Sequence, residues 1–192
     1  AALVAVSPGA NNLLAFVNGA QAGLRQAGRA LDGRLAAFAI MVVLAALGLG
    51  ALLERSAFAF GLLKWAGVAY LIGLGLRYWT APPALGAAEP PPVARLARRE
   101  FLTALANPKA YLLFTVFLPQ FVVPGGGFVL QLLELGAIYV AVEGVAAMLW
   151  AGAGAGVGGR LGTPAWQVWM GRLCGGLMLG AAAALARAER AA

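Results

Sequence analysis

The stretch Phe128–Val157 reads FVLQLLELGAIYVAVEGVAAMLWAGAGAGV and carries only two charged residues, Glu134 and Glu143. A helix of about 20 apolar residues crosses the hydrocarbon core of a bilayer, so this stretch is long enough to span a membrane at a tilt. The whole chain has the same character, because 62% of its 192 residues are hydrophobic and 11% are charged. Soluble domains are about 25% charged. The sequence therefore predicts an integral membrane protein.

Five further apolar stretches surround this one and complete a predicted set of six membrane-spanning helices. They cover residues 1–24, 35–53, 57–76, 101–123 and 165–186. Residues 80–100 interrupt the series with prolines and arginines, a composition typical of a linker. We expect one all-α transmembrane domain over residues 1–192, in which the linker 80–100 separates three helices in residues 1–79 from three in residues 101–192. Because the chain begins within an apolar run, we expect a few residues to precede it, and a cleaved signal peptide is the less favoured interpretation.

The loops between the spans differ in their content of basic residues. Those after spans one, three and five hold Arg25, Arg29, Arg34, Arg77, Arg95, Arg98, Arg99 and Arg160, whereas those after spans two and four hold Arg55 alone. Loops rich in lysine and arginine remain in the cytoplasm, so the linker is predicted to be cytoplasmic and both chain ends external. The net charge of +7 is thus an orientation signal, and no nucleic-acid partner is expected.

Two polar motifs lie at corresponding places in the two halves. Ser7-Pro8-Gly9 interrupts span one, and Asn107-Pro108-Lys109 interrupts span four, 100 residues later. A basic residue followed three positions on by glycine also recurs, at residues 64–67 and 172–175. Since each half has three spans, the second half would enter the membrane from the opposite side, as in the inverted repeats of secondary transporters. The sequence thus predicts two inverted three-helix repeats with helix breaks at Pro8 and Pro108.

Each of these prolines would free a backbone carbonyl one turn earlier, in a solvent that offers no replacement donor. Polar side chains accompany both prolines, and polar ligand sites within a bilayer are built in this way. The residues predicted to bind or translocate a substrate are Ser7, Pro8, Gly9, Asn11, Asn12, Asn107, Pro108 and Lys109. A packed kink whose asparagines bond neighbouring helices is the structural alternative, and the recurrence in both halves favours the binding site.

Two charged residues lie deep within predicted spans. Lys109 is well inside span four, where an ionised lysine costs about 2.5–3.5 kcal/mol, so it is expected to face the interior and to have a partner. Glu143 is in the middle of span five and is a candidate proton carrier or partner of Lys109, with a structural ion pair equally open. Lys64 and Arg172 are nearer to helix ends and are interpreted as structural, and Glu134 as interfacial.

Glycines at small-xxx-small spacing let membrane helices pack closely. The pairs are Gly19 and Gly23, Gly152 and Gly156, Gly154 and Gly158, Gly171 and Gly175, and Gly176 and Gly180. Residues 154–159 also fit a dinucleotide-binding spacing, but no strand-turn-helix unit accompanies them. The chain has no histidine and a single cysteine, Cys174, which excludes histidine-based catalysis, a histidine-ligated metal and an internal disulfide. No cofactor and no metal are expected.

Taken together, these motifs resemble the lysine exporter family of bacterial amino-acid efflux proteins. The likeness rests on Ser7-Pro8-Gly9, Asn107-Pro108-Lys109-Ala110, the segment 62–75, Phe117-Leu118-Pro119-Gln120-Phe121, and Arg172 with two later glycines. The usual third residue of the first motif is proline, where this chain has Ala10, which leaves the first helix less broken. The resemblance implies a six-helix protein of the bacterial inner membrane that exports amino acids or related solutes by coupling to the proton-motive force. It also adds Gln120 to the candidate translocation residues.

Two other classes of protein remain open from the residues alone. An intramembrane enzyme would use Lys109 and Glu143, but the chain lacks a histidine, a serine with a base and a cluster of acids for a metal. A non-catalytic scaffold would use its glycine faces to form homo-oligomers, and leaves a buried lysine and acid unexplained. A secondary exporter with its cavity between Pro8 and Pro108 accounts for more of these features, with a small solute and membrane lipid as partners.

Overall fold

The helices of the computed structural model follow the apolar segments of the sequence. The structure describes residues 5–6, 9–48, 57–80, 89–107, 110–111, 113–123, 127–158 and 164–187, and every regular element within them is helical. The long helices are α1 (Ala10–Ala46), α2 (Ala57–Thr80), α3 (Val93–Leu105), α4 (Phe128–Gly158) and α5 (Pro164–Arg187). A π-helical turn, Leu113–Phe117, and a 3-10 turn, Leu118–Phe121, lie between α3 and α4. The predicted all-α class is confirmed.

Helix α1 contains one break, at Gly23. The φ of 75° and ψ of 166° at this residue lie in a region of backbone space open essentially to glycine alone. The chain changes direction within this single residue, and the predicted loop around residues 25–34 is wrong because those residues are helical. The second helical segment therefore starts directly after Gly23, whereas the sequence predicted span two to start at residue 35. Arginine is a good helix former, which is why three arginines assigned to the loop lie on a helix.

Helix α3 begins at Val93, within the segment predicted as a linker, and ends at Leu105. It follows directly on residues 90–92, which are all proline, and proline is well tolerated at a helix start. The helix boundaries predicted for span four, residues 101–123, are therefore wrong, because the helix begins at Val93 and ends at Leu105, and the π-helical and 3-10 turns lie in the rest of that stretch. The helix ends before Asn107, in keeping with the restriction that a proline places on the residue before it. Pro8 and Pro108 lie outside the described residues, so helix breaks at these prolines stay predictions.

Close helix crossings occur where glycine leaves room for another backbone. Helix α1 packs along α4 and against α3, and α2 packs along α5. A Cβ atom at Gly19 would lie 2.0 Å from the carbonyl oxygen of Ala151, and one at Gly154 would lie 1.9 Å from that of Phe16. Gly19 and Gly154 thus have the packing role predicted for them, whereas a Cβ at Gly156 would meet nothing within 4 Å.

Two apolar cores flank the middle of the molecule. The N-terminal half of α1 shares one core with α2 and α5, in which Leu14, Leu71 and Met178 are buried. The C-terminal half of α1 shares the other with α3, α4 and the π-helical turn. In this second core Phe114 makes edge-to-face contacts with Phe38 and Tyr139, with ring centroids 5.8 and 5.5 Å apart. Helix α1 therefore joins the two cores, and the site described below lies between them.

Helix α4 has the properties of a membrane-spanning helix. The most apolar 18 residues of its segment Phe128–Val157 have a mean hydropathy of 1.8, and only 33% of them are buried inside the protein. Ile138 and Leu149 are 63% and 64% exposed, which gives an apolar surface suited to lipid. Among the helices that the structure describes, this is the one that is long and apolar enough to cross a membrane. The full set of six spans and the inverted repeat stay predictions.

Candidate functional site

A cavity of about 190 Å³ lies where the N-terminal end of α1 approaches α2, α4 and α5. Its lining includes five of the residues predicted to form the site, namely Gly9, Asn11, Asn12, Asn107 and Glu143. These residues come from both halves of the chain. Other lining side chains, which sequence reasoning did not single out, include Phe38, Leu71, Tyr139 and Ala181.

The remaining predicted site residues do not line the described cavity. Ser7, Pro8, Pro108 and Lys109 lie outside the described residues, so their roles stay predictions. Gln120 is exposed on the 3-10 turn and is not among the cavity residues. Its role in translocation also stays a prediction.

Three further charged residues singled out in the sequence lie away from the cavity. Glu134 and Arg172 are exposed. Lys64 is half-buried, with its ammonium nitrogen 5.6 Å from the centroid of the Trp65 ring, a distance typical of a cation–π contact. Their positions agree with the interpretation that these charges lie at helix surfaces.

The backbone that precedes Gly9 is held by two side chains. Asn12 Nδ2 donates to the Ala5 carbonyl at 2.7 Å, and Trp150 Nε1 donates to the Val6 carbonyl at 3.1 Å. Residues 5–6 are helical, Gly9 is extended and α1 begins at residue 10, so both carbonyls lie on the N-terminal side of the first residue of α1.

The two polar motifs meet at a pair of asparagines. Asn107 Nδ2 donates to Asn11 Oδ1 at 3.3 Å, which joins residues 96 positions apart. Asn11 is 4% exposed, and its own Nδ2 has no hydrogen-bond partner in the described part of the protein. An unsatisfied buried donor costs about 1–3 kcal/mol. Because Asn11 lines the cavity, this amide is placed to donate to an acceptor on a bound molecule.

Arg34 is fully buried beside the cavity, although the sequence placed it in a cytoplasmic loop. Its Nε and Nη2 atoms lie 2.9 and 2.7 Å from Oε2 of Glu100. Its Nη1 donates to Asn12 Oδ1 at 3.2 Å and lies 3.5 Å from Glu143 Oε1, and its Nη2 also donates to the Asn11 carbonyl. The loop assignment is wrong because α1 continues through Arg34 and because carboxylates compensate the buried guanidinium.

Glu100 is the second charged residue that the sequence misplaced, since it was counted in the linker. It lies on α3, is fully buried, and accepts a hydrogen bond on Oε1 from Asn18 Nδ2 at 2.7 Å. Leu96, Thr103 and Ala104 are buried on the same helix. Their spacing from Glu100 is that of one helix face, so this periodicity was the available signal that Glu100 points inward.

Glu143, predicted as the deep acid of span five, lies in the cavity wall and is 4% exposed. Its Oε2 accepts a hydrogen bond from the hydroxyl of Tyr139 at 3.0 Å, one helical turn earlier, and its Oε1 faces Arg34. A basic neighbour of Glu143 is therefore Arg34, whereas the predicted partner Lys109 lies outside the described residues. Ionisable side chains buried at membrane depth are costly and mark functional sites by default.

The walls of the cavity present complementary chemistry to a small polar molecule. One wall carries the Glu143 carboxylate and the Tyr139 hydroxyl, another carries the amide of Asn11, and Phe38 and Leu71 supply apolar surface. Within the described residues, no group of three histidine, cysteine or acidic side chains is arranged to hold a metal ion. The arrangement can bind and orient a solute through charge-assisted hydrogen bonds.

Comparisons with known proteins show the family of this chain. A family model described as LysE type translocator matches residues 2–189. A homoserine/homoserine lactone efflux protein of Salmonella typhi is 35% identical over 73% of this chain and 70% of its own length. An uncharacterized membrane protein of Vibrio cholerae is 31% identical over 98% of this chain and 94% of its own length. A cysteine/O-acetylserine efflux protein of Escherichia coli is 32% identical over 64% of this chain and 62% of its own length. The chain matches no solved structure. It therefore belongs to the LysE type translocator family, and as a member of this family of membrane efflux proteins it is a transporter and not an enzyme.

Proposed function

We propose that this chain is a multi-pass protein of the bacterial inner membrane that exports amino acids or closely related small solutes, with the cavity as its substrate site. The observation that carries the proposal is a buried carboxylate, Glu143, facing the same small cavity as the unpartnered amide donor of Asn11. An amino acid carries an ammonium group and a carboxylate, and these two groups match the two walls. Membership of the translocator family supports the same conclusion.

The chemistry of the cavity suits a substrate with a small side chain. Glu143 can accept hydrogen bonds from the ammonium group, and Asn11 Nδ2 can donate to the carboxylate. A volume of about 190 Å³ is below the roughly 300–1,000 Å³ of sites for drug-sized ligands. A short side chain would then lie against Phe38 and Leu71. Relatives whose names specify homoserine, homoserine lactone, cysteine or O-acetylserine as exported solutes support this size class.

The direct experiment measures efflux from proteoliposomes that contain the purified protein and are preloaded with a labelled amino acid. Homoserine and cysteine should leave faster than arginine or tryptophan, because the larger side chains exceed the cavity. Asn11→Leu, which removes the amide donor, should lower the rate of efflux, and the matched control Gln26→Leu, outside the cavity, should not. Protein-free vesicles give the background leak. Equal rates from these vesicles and from those with the wild-type protein would refute the proposal.

An inverted repeat accounts for the way the two halves meet. Asn107, in the second motif, donates to Asn11, two residues after the first motif. The helices predicted as spans three and six, α2 and α5, pack along each other. In this arrangement the linker faces the cytoplasm. Single cysteines introduced as Ala88→Cys and Gly126→Cys, in a Cys174→Ala background, should then react with a membrane-impermeant reagent from opposite sides. Reaction from the same side would rule out the topology.

Coupling to the proton-motive force is assigned to Glu143. The side chain is a buried carboxylate in the cavity wall, and the chain has no histidine that could titrate in its place. Glu143→Gln keeps an oxygen that accepts a hydrogen bond from the ammonium group but no longer titrates. It should therefore retain exchange of substrate across the membrane, at lower affinity, but lose accumulation driven by an imposed pH gradient. Glu134→Gln makes the same chemical change at an exposed position of α4 and is the matched control. A normal response of Glu143→Gln to the gradient would show that the proton takes another route.

A further inference from the structure

The ion pair of Arg34 and Glu100 lies next to the cavity and is displaced from it along α1 and α3. On α1, Asn18 is seven residues beyond the cavity residue Asn11, and on α3, Glu100 is seven residues before the cavity residue Asn107. Seven residues of α-helix cover about 10 Å. Because Asn18 donates to Glu100, α1 and α3 form a polar layer centred about 10 Å along α1 from Asn11. The Arg34 side chain bridges this layer to the cavity, since it contacts Glu100 and the lining residues Asn12 and Glu143.

Helix α2 contributes to the same layer. Tyr78 is seven residues beyond Leu71, which lines the cavity, and the Tyr78 side chain lies within electrostatic range of Glu100. Exposed arginines lie on the side of this layer that faces away from the cavity. Arg25 is seven residues beyond Asn18, after the break at Gly23, and Arg98 is two residues before Glu100. On α2, Arg77 is next to Tyr78. These three arginines define the arginine end of the molecule. The Arg34–Glu100 pair therefore lies between the cavity and the arginine end.

The layer and its surroundings contain polar atoms without partners. Asn18 Oδ1, Gln21 Oε1 and the Tyr78 hydroxyl are buried and have no hydrogen-bond partner in the described part of the protein. Asn18 and Gln21 are three residues apart and so lie on one face of α1. Each unsatisfied buried polar atom costs about 1–3 kcal/mol. These three atoms lie in the layer or, for Gln21, one turn further along α1, and they would line a route for a polar solute and its water when the layer opens.

The position of Arg34 between two carboxylates lowers the barrier to opening. Breaking a buried ion pair by removing one partner costs about 3–5 kcal/mol, because a charge is left uncompensated. Arg34 has Glu143 at 3.5 Å on its other side, so the guanidinium can separate from Glu100 while a second carboxylate stays beside it. Glu100 in turn keeps its hydrogen bond from Asn18.

We infer that the Arg34–Glu100 ion pair is the gate that closes the substrate cavity toward the arginine end, and that Asn18, Gln21 and Tyr78 line the route behind it. This inference rests on the proposed transport function. In the closed state the pair blocks the route with two fully buried side chains. In the open state Arg34 turns to Glu143, and the polar atoms beyond become accessible to the solute.

Cysteine accessibility tests the gate directly. The reporter is the variant Ala181→Cys, in the cavity wall, made in a Cys174→Ala background. A separate sample with Arg98→Cys identifies the side of the membrane that the arginine end faces. An impermeant maleimide is applied to that side. With Glu100 intact, labelling of the reporter should be slow. Glu100→Gln weakens the pair and should raise the labelling rate from this side by at least about tenfold, which corresponds to about 1.4 kcal/mol in the gate equilibrium.

Matched variants separate the gate from general loosening. Glu134→Gln removes a carboxylate from an exposed position and should leave the labelling rate unchanged. The charge exchange Arg34→Glu/Glu100→Arg should bring the rate back toward that of the wild type. Asn18→Ala removes one hydrogen bond to Glu100 but keeps the ion pair, so it provides a milder opening if Glu100→Gln fails to assemble. No increase with either Glu100→Gln or Asn18→Ala would overturn the gate.

The labelling result is independent of the proposed substrate. A wild-type protein that moves no amino acid, but shows gated labelling of Ala181→Cys, would refute the proposed function and retain the gate. A protein that exports amino acids, but whose reporter labels equally from the arginine end in all variants, would retain the function and refute the gate.

Discussion

The close crossing of α1 and α4 leaves no space for a side chain at Gly19. Gly19→Ala adds a Cβ atom 2.0 Å from the carbonyl oxygen of Ala151, where ordinary van der Waals contact begins at 3.4 Å. The two backbones must therefore separate by about 1.4 Å (3.4 minus 2.0), since neither atom is at the end of a flexible side chain. Gly156→Ala, on α4, adds a Cβ atom with nothing within 4 Å and is the matched control.

The difference between these two variants isolates the packing effect. In both variants, the higher helix propensity of alanine stabilises the protein by about 1 kcal/mol. Overpacking destabilises a protein by about 1–3 kcal/mol, and of these two variants only Gly19→Ala is overpacked. We expect Gly19→Ala to be less stable than Gly156→Ala by that amount. For a chain of this length, 1 kcal/mol shifts Tm by about 2–4 °C, so the two Tm values should differ by about 2–12 °C.

Thermal unfolding in detergent, followed by size-exclusion chromatography of the heated samples, measures this difference. Gly154→Ala provides an independent check from the opposite helix, because its Cβ atom would lie 1.9 Å from the carbonyl oxygen of Phe16. It should behave like Gly19→Ala. If Gly19→Ala and Gly154→Ala both melt within about 1 °C of Gly156→Ala, α1 and α4 do not cross at these glycines.

Three further variants test the polar network. Tyr139→Phe keeps the aromatic packing but removes the hydrogen bond to Glu143, so efflux should fall severalfold while membrane abundance, measured by immunoblot, stays constant. Arg34→Met should lower the free energy of unfolding by about 3–5 kcal/mol, because it leaves the buried Glu100 carboxylate uncompensated. The double variant Arg34→Met/Glu100→Met should lower it by less, since no uncompensated Glu100 remains. Thermal unfolding distinguishes the two variants. Lys109→Ala should lower efflux far more than it lowers membrane abundance. Lys109→Arg should not restore efflux fully, because a planar guanidinium does not replace a point charge. Full efflux by the alanine variant would make Lys109 structural.

The parts of the site that the sequence predicts are those that break a local pattern. Asn11 and Glu143 are polar residues within apolar runs, and a polar group in a membrane span must face the protein interior. Asn107 is next to a proline, which marks an interruption in any helix. For these residues the local sequence contains the physical reason for an inward position, so that position is predictable without knowledge of the fold.

Arg34 and Glu100 show where local patterns fail. An arginine among other arginines is ordinarily a loop or surface residue, and the pattern gives no sign that one of them is buried. What buries Arg34 is a carboxylate 66 positions away, on a helix that packs against α1 only in the folded chain. The break at Gly23 is equally hidden, because glycine in a helix-forming sequence is as compatible with packing as with a positive φ. Burial of charge is thus decided by tertiary pairing rather than by composition.

The correction at Arg34 leaves the predicted orientation intact and ties it to the gate. Without Arg34, seven of the eight arginines remain in the predicted cytoplasmic set, against Arg55 alone in the other (8 minus 1 gives 7). Under the positive-inside rule, this bias still predicts that the arginine end faces the cytoplasm. In that orientation, the proposed Arg34–Glu100 gate is the barrier that an exported solute would meet first on its way out. A gate at that position admits substrate from the cytoplasm and, when closed, prevents its return.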